Sequence, residues 1–230
     1  MDFDDDFFDA DAFDDGGAIG DDFFFSAALN EDGAGDETKE TISPRAIRRR
    51  ARQRMIRQRQ KQSLRDIIKA PPEPGETIHV VSASKFNFYT WTPVLVDFLG
   101  VADEFYCATW SVNLQSVNSL LEEIDAGRIK RAAFAVGLYL KRREPVVYTK
   151  LAEGLTRRGV GWVKSLETHA KVLLLANEAR GDFLTIEGSA NLTDNPRVEQ
   201  YALTNDRPLY EFHKEWFEEV RRLRKKLPWL

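Results

Sequence analysis

The stretch that decides the fold runs from Thr168 to Glu199. It opens Thr168-His169-Ala170-Lys171-Val172-Leu173-Leu174-Leu175-Ala176 and crosses a polar turn from Asn177 to Asp182. Phe183 to Glu187 follows, then Gly188-Ser189-Ala190-Asn191 and, further on, Val198-Glu199. Val172 to Leu175 is apolar at every position, which suits a strand covered on both faces, and Phe183 to Glu187 reads as its hairpin partner. A strand turns successive side chains to opposite faces, so with the strand beginning at His169, His169 and Lys171 share one side and Ala170 and Val172 the other. The same parity groups Ser189 with Asn191. One nucleophile or acid, one fixed cation and two neutral hydrogen-bonding groups then converge, the composition of an anion site.

This pattern resembles the signature of the phospholipase D superfamily, which reads His-x-Lys, four residues, Asp, six residues, Gly-Ser-x-Asn. His169, Lys171, Gly188, Ser189 and Asn191 match it. Ala176 stands at the position of the family's Asp, and the interval to Gly188 is five residues longer, with Asp182 a stand-in only if the hairpin is redrawn. Glu199, in the strand-like run Val198 to Leu203, matches a family carboxylate that helps to hold the histidine. In organisation the resemblance covers residues 77 to 226. It implies an α/β fold, a phospholipase D-like mixed sheet flanked by helices.

The resemblance also implies a chemistry. A neutral His169 imidazole attacks a phosphodiester phosphorus and forms a phosphohistidine, which splits one hard displacement into two easier ones. Lys171 and Asn191 hold the nonbridging oxygens, Ser189 is a further donor, and Glu199 orients the imidazole. No metal or cofactor is required. The leaving oxygen needs an acid, and one His-x-Lys motif supplies one histidine. Single-signature members of the superfamily bring two motifs together by dimerising, so a two-fold homodimer with a shared site is implied here. Compact nucleases of bacteria and phages look similar in size and layout. Two other readings stand beside this one: a noncatalytic nucleic-acid-binding protein that keeps a degenerate phosphate pocket, supported by Ala176, and an adaptor that recruits a protein partner through its N-terminal tail.

Outside the signature, charge is distributed unevenly. Residues 1 to 40 hold fifteen acidic side chains and one lysine, whereas 41 to 70 hold eleven basic side chains and one acidic; the remaining chain balances. The first block mixes Asp with Phe and Gly without helical or strand period, and its self-repulsion predicts a disordered tail that either solubilises or docks on a basic, apolar partner. In the second block Ser43-Pro44 is a helix start, and the expectation is a basic helix over 41–70, ending before Pro71-Pro72. Arg45, Arg48, Arg49, Arg50, Arg52, Arg54, Arg57, Arg59 and Lys61 crowd seventeen positions, and so many like charges call for an anion. Nucleic acid phosphate is the expected one, in a salt-sensitive and largely sequence-independent contact; the acidic tail is the other.

A Pro-rich linker spans 71–76, and from 77 to 230 strand and helix signals alternate as an α/β domain requires. The expected strands are Ile78 to Ser82, Glu104 to Trp110, Ile129 to Leu140, Val160 to Val163 and those of the signature. Helices are expected from Thr92 to Gly100, over Leu114 to Ile124, from Pro145 to Arg158, and at the end with Leu209, Phe212, Trp216, Val220 and Leu223 on one apolar face. Trp91, Trp110 and Trp162 fall near strand ends, where they either pack or stack on bases. Lys141, Arg142 and Arg143 line a phosphate channel or a solvated turn, and His79 and His213 read as structural. Cys107, the single cysteine, leaves no disulfide framework or thiolate metal site and fits a reducing compartment. Met1-Asp2-Phe3-Asp4 lacks the start of a signal peptide, and no apolar run approaches the ~20 residues of a membrane helix, so a cytoplasmic protein without membrane contact is expected.

Overall fold

The structure, a computed structural model, describes residues 52–58, 64–82, 87–193 and 198–223. Eight strands are present: β1 (Arg52–Gln58), β2 (Glu76–Ser82), β3 (Glu104–Thr109), β4 (Ala132–Gly137), β5 (Gly161–Leu166), β6 (Val172–Asn177), β7 (Asp182–Gly188) and β8 (Glu199–Asn205). They form one mixed sheet in the order β1-β2-β8-β7-β6-β3-β4-β5. Six run in one direction, and β6 and β8 run in the other. The helices are α1 (Leu64–Ile67), α2 (Trp91–Leu99), α3 (Leu114–Asp125), α4 (Leu138–Arg143), α5 (Pro145–Arg158) and α6 (Arg207–Arg222).

Strand alternation divides the core into two. Phe105, Cys107, Phe134, Val136, Leu173, Leu175, Leu184 and Ile186 face α2, α3 and α5. Tyr106, Ala108, Ala135, Leu174 and Ala176 face the other way, where Tyr210, Phe217 and Val220 of α6 cover them. The central strands are thus buried on both faces, as the unbroken apolar run Val172 to Leu175 requires. Helix boundaries follow local chemistry. The Asn113 side chain accepts the Ser116 N–H at 2.8 Å to start α3, and Asp206 does the same for Leu209 at 2.8 Å to start α6. Gly159, at φ 66°, lets α5 close in a left-handed turn that a side chain would strain.

Four expectations need correction. The basic segment is not one helix: Arg52–Gln58 is a strand paired in parallel with β2 along all seven residues, followed by the short α1. A free edge of β2 offers unpaired backbone groups that a nearby chain can satisfy, while a helix dense in like charge repels itself. Residues 1–51 and 59–63 lie outside the described residues, and with them the acidic tail, Arg45, Arg48, Arg49, Arg50, Arg59 and Lys61. The strand expected to reach Leu140 stops at Gly137, and α4 begins at Leu138. Trp110 crosses there, and a Cβ on Gly137 would lie 2.6 Å from its Cδ1 and its carbonyl oxygen. The signature strand begins at Val172, so His169 and Lys171 precede it. Finally, α6 buries Tyr210, His213, Phe217 and Val220 rather than the stripe through Leu209, Phe212 and Leu223. Both stripes have helical spacing, and the sheet selects the one that seats two large aromatic rings over β3 and β7.

Candidate functional site

The matched residues gather at one end of the sheet, beyond the C-terminal ends of β3, β4 and β7 and before the starts of β6 and β8. That rim is where open α/β sheets bind ligands, because backbone and loop groups fan out there without strand partners. The Gly188 N–H donates to the Lys171 carbonyl at 3.2 Å, so the hairpin ladder itself joins the two halves of the signature.

Lys171 and His169 are in direct contact. The ammonium Nζ lies 2.8 Å from His169 Nδ1, 3.1 Å from Nε2 and 2.8 Å from the His169 carbonyl oxygen. Burial pushes the His169 pKa below the ordinary imidazole value, and the neighbouring Lys171 charge pushes it further. Both causes favour the neutral ring, the form with a lone pair to donate. Burial also lowers the Lys171 pKa, against an opposing pull from the Glu199 carboxylate. Lys171 is only 7% exposed and Glu199 likewise 7%, so the site holds two buried opposite charges at its base.

The other side chains take positions that sequence parity does not specify. Ser189 Oγ donates to Glu199 Oε2 and accepts the Gln200 N–H at 3.1 Å. The Ser189 proton is therefore committed to the carboxylate, and Glu199 holds Ser189 rather than the imidazole. Asn191 Oδ1 accepts the Trp110 backbone N–H at 3.3 Å, and the Thr109 hydroxyl, whose proton goes to the Ser111 carbonyl at 2.8 Å, lies 3.4 Å from it. Anchoring the amide oxygen presents the amide N–H₂ as a donor for an anion. Thr109 and Tyr139 are members of the rim that sequence reading did not single out; a residue at a strand end carries no periodic signal.

Ala176 and Asp182 are elsewhere. Ala176 is 1% exposed and belongs to the apolar cluster under α6. Asp182 pairs in register with Asn177 at the far end of the hairpin, about 17 Å from Val172 at strand rise. Its carboxylate accepts from Arg180 at 3.0 Å and from Asn205 at 3.2 Å, so it does not serve the rim. Of the three tryptophans, Trp91 is fully buried, Trp162 is half-buried, and Trp110 is exposed beside His169. His213 is buried in α6, where its Nδ1 accepts the Trp216 N–H at 3.1 Å. Lys141, Arg142 and Arg143 form the exposed last turn of α4.

A cleft of about 420 Å³ opens at the opposite end of the sheet, bordered by Arg131, Trp162 and Lys214. Two of its cations already hold Glu104, Lys214 at 2.7 Å and Arg131 at 3.0 Å, and Tyr210 donates to the same carboxylate at 2.8 Å. That arrangement is a satisfied buried charge and not the signature site. Among the described residues, no group of three or more His, Cys, Asp or Glu side chains is arranged to hold a metal ion, and no helix is long and apolar enough to cross a membrane.

No protein-family model matches the chain, and no curated protein matches it. Among solved structures, it is similar to Nuc, a phospholipase D family member from Salmonella typhimurium, at 12% identity over 64% of this chain and 95% of that one, with a TM-score of 0.46. It is also similar to polyphosphate kinase from Porphyromonas gingivalis, at 15% identity over 66% of this chain and 26% of that one, with a TM-score of 0.45.

Proposed function

We propose that this chain is a phospholipase D-type phosphodiesterase that cleaves nucleic acid without a metal, as a homodimer with a shared site. The observation that carries the reading is the contact of the Lys171 ammonium with a His169 ring whose neutral form is favoured, next to the Gly188 to Asn191 turn. Lys171 and the Asn191 amide N–H₂ hold the nonbridging oxygens. A ring nitrogen of His169 attacks phosphorus, the bond from phosphorus to the leaving sugar oxygen breaks, and that oxygen takes a proton from His169 of a second copy. Water then attacks phosphorus, the phosphorus–nitrogen bond breaks, and water's proton goes to that second imidazole, which returns to its protonated form as a phosphate monoester and neutral His169 are released. Donors aimed at the charge that builds on the oxygens lower the barrier, and the buried Lys171 ammonium is the strongest of them.

The basic residues from Arg45 to Lys61 favour a polymer of phosphates over a lipid. The acidic tail is proposed as the protein-contacting or self-competing element. Ala176 no longer supports a noncatalytic reading, because a side chain at that position faces the α6 core and not the anion. Mass spectrometry after alkaline quenching of turnover tests the mechanism: an oligonucleotide phosphate attached to the His169 peptide is expected, and turnover with no such adduct contradicts it. Sedimentation as a monomer contradicts the shared site.

A further inference from the structure

Trp110 ends 37% exposed just past β3, and Tyr139, 41% exposed in the first turn of α4, lies against it. Their ring centroids are 4.5 Å apart with planes 26° from parallel, and the indole is 6.3 Å from the His169 ring. Most large aromatic rings of the described chain are buried in its two cores, so a stacked pair left in water at the anion site calls for a ligand. Its backbone is anchored. The Trp110 backbone N–H donates to Asn191 Oδ1, and Gly137 leaves room for the Trp110 backbone to press on the start of α4.

A nucleobase is flat, has a π face and hangs one sugar away from its phosphate. With that phosphate on His169 and Lys171, its base reaches the aromatic pair. In a duplex each base face is covered by its neighbours, so only an unpaired base can use the surface. We propose that Trp110 and Tyr139 form a base-stacking platform that makes single-stranded nucleic acid the substrate of this site; the inference rests on the phosphodiesterase reading for the placement of the phosphate. The exposed turn Lys141 to Arg143 follows Tyr139 directly and supplies cations for flanking phosphates.

The test is equilibrium binding at low salt of the full chain carrying His169→Ala, which blocks cleavage, to a fluorescent single-stranded oligodeoxynucleotide, to its duplex and to an abasic strand of equal length and charge. This parent is expected to bind the base-bearing strand at least about five-fold tighter than the abasic strand, the lower end of base–aromatic stacking. Tyr139→Ala and Trp110→Ala added to it should lose that preference while keeping their affinity for the abasic strand, and Trp110→Phe should keep part of it. Tyr139→Ala changes an exposed side chain and keeps the test decisive if Trp110→Ala does not fold. Equal affinity of the parent for base-bearing and abasic strands overturns the platform. So does a preference that survives both alanine variants, and a Trp110→Ala protein that turns from dimer to monomer with its preference intact would assign the aromatic pair to a second copy of the chain. Binding is read without turnover, so absence of cleavage would remove the phosphodiesterase reading and leave a measured base preference standing.

Discussion

Lys171→Met separates what the ammonium does for function from what it does for the fold. The side chain is 7% exposed, its charged form is disfavoured by burial, and its hydrogen bonds go to the His169 ring and carbonyl. Methionine keeps the apolar stem and removes the charge. The sign follows from linkage: a lysine whose folded pKa is lowered binds its proton less tightly folded than unfolded, so it opposes folding at neutral pH, and that penalty lifts as pH rises through the folded pKa toward 10.5. Replacing a whole buried pair by apolar groups ranges from neutral to stabilising, but Lys171→Met removes one partner and leaves the buried Glu199 carboxylate with the Ser189 hydroxyl, a loss of about 3 kcal/mol that outweighs the lifted penalty. In a domain of this size that lowers Tm by roughly 6–12 °C. Activity should fall further than stability explains, because losing one donor to the developing oxyanion costs about 10²–10³ in kcat at temperatures where the variant is folded. Thermal unfolding at pH 7 and oligonucleotide cleavage, each on both proteins, make the comparison. A variant that melts at or above wild type, or one that keeps full turnover, would refute the argument that Lys171 is both the buried partner of Glu199 and a donor to the reacting phosphate.

Three further outcomes are expected. The His169 pKa lies below 6.5 from burial first and the Lys171 charge second, and turnover needs one neutral and one protonated copy, so kcat/KM should rise as pH falls from 7 to 6.5 and peak below that; a maximum above 6.5 would contradict a ring held neutral by these neighbours. Gly137→Ala places a methyl 2.6 Å from Trp110 Cδ1 and carbonyl oxygen and should destabilise by about 1–3 kcal/mol, read as a lower midpoint in urea, with an unchanged midpoint showing that the crossing relaxes freely. Ala176→Asp, which restores the Asp of the signature's first half, sets a carboxylate in register beside buried Glu104 and should cost on the order of 3 kcal/mol without raising turnover; a more active enzyme would place position 176 in the chemistry after all.

Much of the frame was legible because punctuation and period agree. Pro93 and Gly100 bracket α2, Pro145 and Gly159 bracket α5, and the two-faced run Val172 to Leu175 could only be interior. Elsewhere the deciding contact is distant in sequence. Val136-Gly137-Leu138-Tyr139-Leu140 is apolar throughout, and only the crossing of Trp110 shows where strand gives way to helix. Arg52–Gln58 reads as a solvated charge run until β2 supplies its backbone partners. At the site, spacing alone grouped His169 with Lys171 and Ser189 with Asn191. The structure puts Lys171 against His169, though both precede the strand, and it pairs Ser189 with Glu199 and Asn191 with Trp110, since parity tells which side a residue faces and not what it meets. Trp91 and Trp110 both sit at element ends, and packing alone buries one and exposes the other.

The most direct test of the account is cleavage of labelled single- and double-stranded DNA and RNA at low salt with EDTA, wild type beside His169→Ala. The account predicts cleavage by wild type, none by the variant, and salt-sensitive binding by both. Equal cleavage by both proteins, or binding without cleavage by wild type, would contradict a phosphodiesterase centred on His169.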